Sequence, residues 1–252
     1  MAKLKDIVKF LDDYLKVDEI NDSSWNGLQA EGRPNVSRVV FAENASIDIF
    51  KKAIKEKADL IIVHHGHFWK DGNPSFVGSG KERIDLLSRN DVSLYASHLP
   101  LDKHKTVGNN AQLLKLLGAA IKEEFGKYEN QSITWIGEFS KPVHRSEIIK
   151  KLISELNAKC TALLFGPEKI KRIAVCSGGG GYGIFFEALS KDVDIYLTGD
   201  TVEIYTTAKD AKFNVIFAGH YATEILGVKA LMPLLEKKFK IKTVFIDDPT
   251  GL

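Results

Sequence analysis

The hydrophobic and polar positions predict the same order of strands and helices in both halves of the chain. In the first half the pattern predicts a strand, a helix and a buried strand at residues 38–43, 47–57 and 58–65. In the second half it predicts the same order, at residues 172–177, 184–191 and 193–200. A further helix and strand follow each triplet. The chain is therefore predicted to be an α/β protein that contains an internal repeat.

The elements before each triplet extend the match. A helix over residues 3–16 and a short strand at 28–30 precede the first triplet, and SEIIKKLISEL and TALLF predict the same pair before the second. We therefore predict two related α/β lobes with mixed sheets, residues 1–126 and residues 127–252.

Composition narrows the class of protein. The 252 residues are 44% hydrophobic, and Lys+Arg 35 against Asp+Glu 33 gives a net charge of only +2, so neither nucleic acid nor an anionic membrane is indicated as a partner. No apolar run approaches the length that spans a membrane, and the first residues read as an amphipathic helix rather than a cleavable signal. The two cysteines, Cys160 and Cys176, form no CxxC pair. We expect a cytoplasmic protein.

Histidines and carboxylates follow the predicted strands. The run LIIVHHGHFW ends a buried strand with two adjacent histidines, and HxxxD and HxxxE pairs follow two later strands. The candidate side chains are His64, His65, His98, Asp102, His220 and Glu224. Because ligands bind at the carboxyl ends of strands in open α/β sheets, these side chains are expected to meet in one region.

Imidazole and carboxylate together are typical ligands of Zn, Fe(II) or Mn(II). Neighbouring residues of a strand point to opposite faces, so His64 and His65 share a site only if the strand ends there, and Gly66 is well placed to end it. A single histidine on an apolar strand is more often a hydrogen-bonded core residue, and HxxxE is often a surface pair. Three strand ends with such pairs favour a metal site, while Asp200 caps a helix or supports a ligand.

The sequence does not decide the roles of two other segments. SGGGGYG (177–183) lies between a predicted strand and a helix and lacks the lysine of a P-loop, so it forms either a substrate loop or only a sharp turn. Trp25, Asn26 and Gly27 are predicted to pack at a helix-to-strand turn, and His67 and His104 are predicted to be loop residues.

The motifs WNGLQAEG, IVHHGHFWK, SHLPLDKHKTVGNNAQL, CSGGGGYG, LTGD and GHYATE occur in that order along nearly the whole chain. Together they resemble the NIF-three-like family, also called GTP cyclohydrolase type 2 homologues or YbgI-like proteins. The resemblance implies two α/β lobes with a dinuclear metal site between them, assembled into a toroidal homohexamer. The ligands it implies are His64, His65, Asp102, His220 and Glu224.

The resemblance also gives Glu224 the role of a bridging ligand and makes His98 a residue that lines the site. One feature departs from the family pattern. Family members often carry a histidine on the helix after TG(D/E), where this chain has Tyr205 and Thr206. This departure concerns catalysis and leaves the implied metal ligands unchanged.

The leading hypothesis is a metal-dependent hydrolase of a nucleotide or similar small molecule, with opening of a purine ring as in GTP as its concrete form. In that hypothesis His98 is catalytic and moves protons, and two divalent metal ions (Zn, Fe or Mn) are the cofactors. The choice of GTP as the substrate rests on the resemblance alone. The alternative is a non-catalytic metal-binding protein with a regulatory or assembly role, and a third possibility is a purely structural metal.

Overall fold

The computed structural model describes residues 1–252, which divide into two compact units. Unit 1 comprises Met1–Leu101 and Gly227–Asp248, and unit 2 comprises Asp102–Leu226 and Pro249–Leu252. This division differs from the boundary predicted between residues 126 and 127. The reason is that one antiparallel hairpin spans residues 119–144, and that the last strand of the chain, residues 242–245, pairs within unit 1.

Unit 1 contains a five-stranded mixed sheet. The strands and helices of unit 1 are β1 (Ala2–Lys3), α1 (Leu4–Leu15), β2 (Gly27–Ala30), β3 (Asn35–Val36), β4 (Arg38–Asn44), α2 (Ile47–Lys55), β5 (Leu60–His65), α3 (Gly78–Arg89), β6 (Ser93–Ala96) and β13 (Lys242–Phe245). The helices α4 (Leu99–Lys103) and α9 (His220–Phe239) belong partly to each unit, because the division falls at Leu101 and at Leu226. A short 3-10 helix covers Val17–Glu19. The strand order is β13-β4-β5-β6-β2, in which only β2 runs antiparallel to its neighbour.

Unit 2 contains a six-stranded mixed sheet. Its elements are α5 (Asn109–Leu117), β7 (Ala119–Tyr128), β8 (Gln131–His144), α6 (Arg145–Leu156), β9 (Thr161–Leu164), β10 (Lys169–Cys176), α7 (Gly181–Ser190), β11 (Ile195–Thr198), α8 (Tyr205–Asp210) and β12 (Asn214–Phe217). The strand order is β7-β8-β10-β11-β12-β9. The three strands β10, β11 and β12 are parallel, and β9 closes the sheet as an antiparallel edge strand. Residues 132–147 lie in β8 and α6.

The repeat expected from the sequence is present in the topology. The order β4-β5-β6-β2 in unit 1 matches β10-β11-β12-β9 in unit 2, with three parallel strands and an antiparallel edge. Asp59 and Asp194, aligned by the sequence repeat, each accept two backbone N–H bonds, at the start of β4 for Asp59 and within β10 for Asp194. The predicted mixed α/β fold is confirmed.

The central strands are apolar because helices or other chain segments cover them. In unit 1 the residues Leu60–Val63 of β5 are fully buried, and Ile49 and Phe50 of α2 belong to the same hydrophobic cluster as Ile61. In unit 2 Leu113 and Leu114 of α5 join Ile173 of β10 in the core. No helix combines the length and the apolar character needed to cross a membrane. The polar residues that end these apolar strands form the candidate site.

Candidate metal centre

Unit 1 brings three of the predicted site residues together. The candidate ligand atoms of His64, His65 and His98 lie within 4.8 Å of one another. His64 and His65 end β5, while His98 follows β6 and directly precedes α4. The ring centroids of His64 and His65 are 4.6 Å apart, and the ring of His98 lies 5.1 Å from that of His64. The parallel order of β5 and β6 therefore places these imidazoles at one edge of the sheet.

The end of β5 explains how two adjacent histidines share a cluster. The strand stops at His65, as expected from Gly66. A side chain at Gly66 would overlap the amide of Gln29 and the Cβ atom of Ala96, so only glycine fits this close approach. His65 is the last residue of β5 and still pairs with Asn44 of β4, so the two adjacent histidines come together where the strand ends.

Each histidine of the cluster presents Nδ1 to an oxygen acceptor. His64 Nδ1 lies 2.9 Å from the carbonyl oxygen of Ser97, and His98 Nδ1 lies 2.9 Å from Oδ1 of Asp22. His65 Nδ1 lies 2.8 Å from Oε1 of Glu43 and 3.0 Å from the side-chain oxygen of Asn44. These acceptors favour the tautomer with the proton on Nδ1, which leaves the lone pair on Nε2.

Unit 2 supplies a histidine and two carboxylates. His220 and Glu224 are four residues apart in α9, with Nε2 2.9 Å from Oε2, and His220 Nδ1 lies 3.0 Å from Asp200. Burial disfavours the charged imidazole, but Glu224 and Asp200 outweigh that effect and raise the pKa of His220 to about 9. The carboxylates of Glu224 and Asp200 therefore favour a positive charge at His220. Asp200 is a partner of His220, which supports the second of its two interpretations.

Asp102 is held by a polar network inside unit 2. Its Oδ1 accepts from Asn109 Nδ2 at 2.8 Å and from Ser177 Oγ at 2.9 Å. Asn110 donates to the Asp102 carbonyl at 3.2 Å and accepts the backbone N–H of Ser177 at 2.7 Å. All four side chains are buried. The carboxylate of Asp102 is thus fixed in position at the start of this unit.

The glycine run gives close packing around these carboxylates. Gly178 has φ +59°, donates its N–H to Thr223 Oγ1 at 2.9 Å, and leaves no room for a Cβ atom beside the Glu224 carboxylate. Gly180 is equally tight against the hydroxyl of Tyr196. Nearby, burial together with Asp102 and Glu224 raises the pKa of the Cys176 thiol, which therefore stays protonated. These contacts explain why glycine occupies positions 178 and 180.

Several supporting residues were not anticipated from the sequence. Asp22, Glu43 and Asn44 hold the histidines of unit 1, and Asn109 and Ser177 hold Asp102. The only sequence signal was that some of them lie within the recognised motifs. The other histidines have local roles.

His104 Nδ1 accepts backbone N–H groups of residues 106 and 107, and His144 caps α6. The ring of His67 packs against that of Phe68, with centroids 4.6 Å apart. None of the three belongs to the cluster of His64, His65 and His98.

The donor set suits a divalent metal. Buried imidazole and carboxylate groups, with no thiolate among them, match the preferences of Zn, Fe(II) and Mn(II). The hydrogen bonds at Nδ1 are the arrangement that metal-binding histidines use, because they orient the ring and increase the basicity of Nε2. The fold and these groups define the class: a mixed α/β protein with buried histidine and carboxylate groups that could bind a metal ion.

The chain belongs to the Duf34/NIF3 (NGG1p interacting factor 3) family, whose profile matches residues 2–250. The resemblance inferred from the motifs is confirmed. A relative from Pyrococcus horikoshii, named "GTP cyclohydrolase 1 type 2 homolog", is 49% identical over 250 residues, which is 98% of this chain and 98% of the relative. A relative of the same name from Pseudomonas aeruginosa is 39% identical and covers 98% of this chain and 97% of its own length.

Solved structures share the fold. The one described as "Structural genomics, protein ybgI, unknown function" has a TM-score of 0.93 and 34% identity and covers 100% of both chains. The protein TTHA1606 from Thermus thermophilus has a TM-score of 0.89, also at 34% identity and 100% coverage of both chains.

Proposed function

We propose that the protein is a metal-dependent hydrolase that holds two divalent metal ions. The proposed ligands are His64, His65, Asp102, His220 and Glu224, with Glu224 as the bridging carboxylate. The observation that supports this set most strongly is the orientation of the histidines. His64, His65 and His220 each direct Nδ1 at an oxygen acceptor, as metal-binding histidines do.

Bound divalent ions would lower the pKa of a water molecule and polarise a substrate oxygen, which is the chemistry that hydrolysis requires. The protein supplies the proton transfer. His98 has its Nδ1 held by the carboxylate of Asp22, which favours an imidazole that gains and loses its proton at Nε2. We therefore assign His98 the role of the catalytic acid and base.

The proposed substrate is a nucleotide or a related small molecule. The relatives from Pyrococcus horikoshii and Pseudomonas aeruginosa carry the name "GTP cyclohydrolase 1 type 2 homolog", which makes hydrolytic opening of the purine ring of GTP the first reaction to test. We further propose that the protein is a homohexamer, as the family resemblance implies, and that it works in the cytoplasm, as its composition predicts. Neither a membrane nor a nucleic acid is part of this proposal.

The test compares hydrolytic turnover of GTP by the metal-loaded wild type and by the metal-loaded His64→Ala variant. Loss of turnover is expected, with the far-ultraviolet circular dichroism and the oligomeric state unchanged. His144→Asn is the matched control, because this exposed histidine caps α6 and Asn is also a good cap. Equal turnover in wild type and His64→Ala would remove the proposed centre.

The second candidate function is a metal-binding protein without catalytic activity. It is favoured by the residues after the TGD motif, where Tyr205 is half exposed and its ring packs on Phe165 at 5.3 Å instead of providing an imidazole. A panel of nucleotides and phosphoesters, tested with Zn, Mn and Fe(II) separately, distinguishes the two. Saturable turnover favours the hydrolase, whereas metal binding without turnover on any of them favours the second candidate.

A further inference from the structure

Unit 1 contains a cavity of about 270 Å³ outside the histidine cluster. Trp25 and Phe68 give it two aromatic walls, and Asn26, Leu28 and Gln29 complete the lining. This volume lies just below the range of about 300–1,000 Å³ that is usual for drug-sized ligands, so it suits a part of a ligand such as a ring system.

The two aromatic walls are fixed by hydrogen bonds between their chain segments. The backbone N–H of Trp25 donates to the carbonyl of Phe68 at 3.1 Å. Gln29 joins the same segments through its side chain, donating to the Trp25 carbonyl at 2.6 Å and accepting the Phe68 N–H at 3.2 Å. The cavity is therefore preformed, and a ligand would not have to order either wall.

Trp25 is unusual in its exposure. The residue is 58% exposed, although the sequence pattern predicted that it packs in a turn. Leu28, in the same lining, is also exposed. An indole left in water beside a second aromatic ring and a concave surface is typical of a binding site, because a flat ligand can cover the apolar face that the protein leaves open.

Asn26 connects this cavity to the proposed proton carrier. Its Oδ1 accepts the backbone N–H of His98 at 2.7 Å, and its Nδ2 donates to Oδ2 of Asp22 at 2.9 Å. Asp22 in turn holds Nδ1 of His98. A ring bound against Asn26 would thus lie one residue away from His98.

We propose that Trp25 and Phe68 form a binding subsite for the planar heteroaromatic ring of the substrate, such as a purine base. The link to a substrate rests on the proposed function. The ring stacks on the indole of Trp25, and Phe68 limits its thickness on the other side. These two residues therefore select for a ligand with a flat ring and leave the rest of the ligand to other groups.

The test measures binding of guanosine, GTP and inorganic triphosphate to the metal-loaded protein by titration calorimetry. Stacking on an aromatic residue is worth enough that Trp25→Ala should weaken guanosine and GTP binding about 5- to 150-fold. Binding of inorganic triphosphate, which has no ring, should not change. Trp25→Phe keeps a flat ring and should retain part of the affinity, and Phe76→Ala is the control because Phe76 is equally exposed but lies outside the lining.

Three results would overturn the proposal. They are absence of guanosine binding by the wild type, equal affinities in wild type and Trp25→Ala, and dissociation of the oligomer in Trp25→Ala, which would make the indole a contact between copies of the chain. Because the readout is binding, guanosine bound through Trp25 without any turnover leaves this inference standing and removes only the hydrolase. GTP turnover that is unchanged in Trp25→Ala would remove this inference and leave the hydrolase standing.

Discussion

Replacing Asp22 with Asn changes one atom of a carboxylate that accepts four hydrogen bonds. Oδ1 accepts from Ser24 N at 3.1 Å and from His98 Nδ1 at 2.9 Å. Oδ2 accepts from Asn26 Nδ2 and from Leu99 N, both at 2.9 Å. Asp22 is buried, with 3% of its surface exposed, so water cannot replace a lost acceptor. The variant has the same size, but it replaces one acceptor oxygen by a donor group and removes the negative charge.

The magnitude follows from the geometry. In either orientation of the new amide, its NH2 group faces two of the four donors. A buried donor that loses its acceptor costs about 1–3 kcal/mol, so Asp22→Asn should lower the free energy of unfolding by about 2–6 kcal/mol. The exposed Asp13, which pairs only with Lys9, is the matched control, and Asp13→Asn should cost at most about 1 kcal/mol.

The assay is urea unfolding of the metal-free proteins, followed by circular dichroism. With a slope of about 3 kcal/mol per molar urea, the expected loss moves the midpoint of Asp22→Asn down by about 0.7–2 M. A midpoint within the scatter of Asp13→Asn would refute the reasoning, because it would mean that the four hydrogen bonds do not hold the segment that positions His98.

Three further results are expected. Gly178→Ala should unfold at a lower temperature and lose metal, because its Cβ atom would overlap the Glu224 carboxylate and its φ is positive. The control Gly183→Ala, in open space within α7, should instead stabilise the protein by about 0.5–1 kcal/mol. Thermal unfolding and elemental analysis of both variants are the measurements. Burial raises the pKa of Asp59, but hydrogen bonds from Ser37 and Arg38 and the charge of Arg33 together lower it by more. The net pKa is therefore below the ordinary value of 3.8. The ionised carboxylate therefore stabilises the fold at pH values above 3.8, and this stabilisation is lost as the pH falls through the folded-state pKa. Asp59→Asn should lower the free energy of unfolding in urea by about 1–3 kcal/mol at pH 7, and by less below pH 4. A difference that stays constant with pH would contradict this account. Chelator should lower the unfolding temperature without unfolding the protein, since the hydrogen bonds that orient the ligands exist without metal; complete unfolding in chelator would instead indicate a structural metal.

The sequence predicted the elements whose signal is local. The run Leu60–Val63 is apolar at every position, which indicates a strand covered on both faces, and the polar residues that follow it mark the sheet edge. The boundary between the compact units could not be predicted in the same way. It depends on the pairing of β13 with β4, and these strands are far apart in the sequence.

The same distinction applies to the site. His64, His65 and His98 were recognisable because histidines rarely follow apolar strands in such numbers. Asp22 was not, because it lies 76 residues from the His98 ring that it holds, and an aspartate after a helix has many ordinary roles. Trp25 was expected to pack, since the sequence pattern of a turn carries no information about which rings remain exposed.

The most direct test of the metal centre is the metal content per chain of untagged protein, measured by elemental analysis after loading with Zn, Mn or Fe(II). We predict close to two ions per chain in the wild type and a sharp fall in Glu224→Ala, with Glu155→Ala, an exposed glutamate of α6, unchanged. Little or no metal in the wild type with any of the three ions would contradict the account and would make these histidines structural residues.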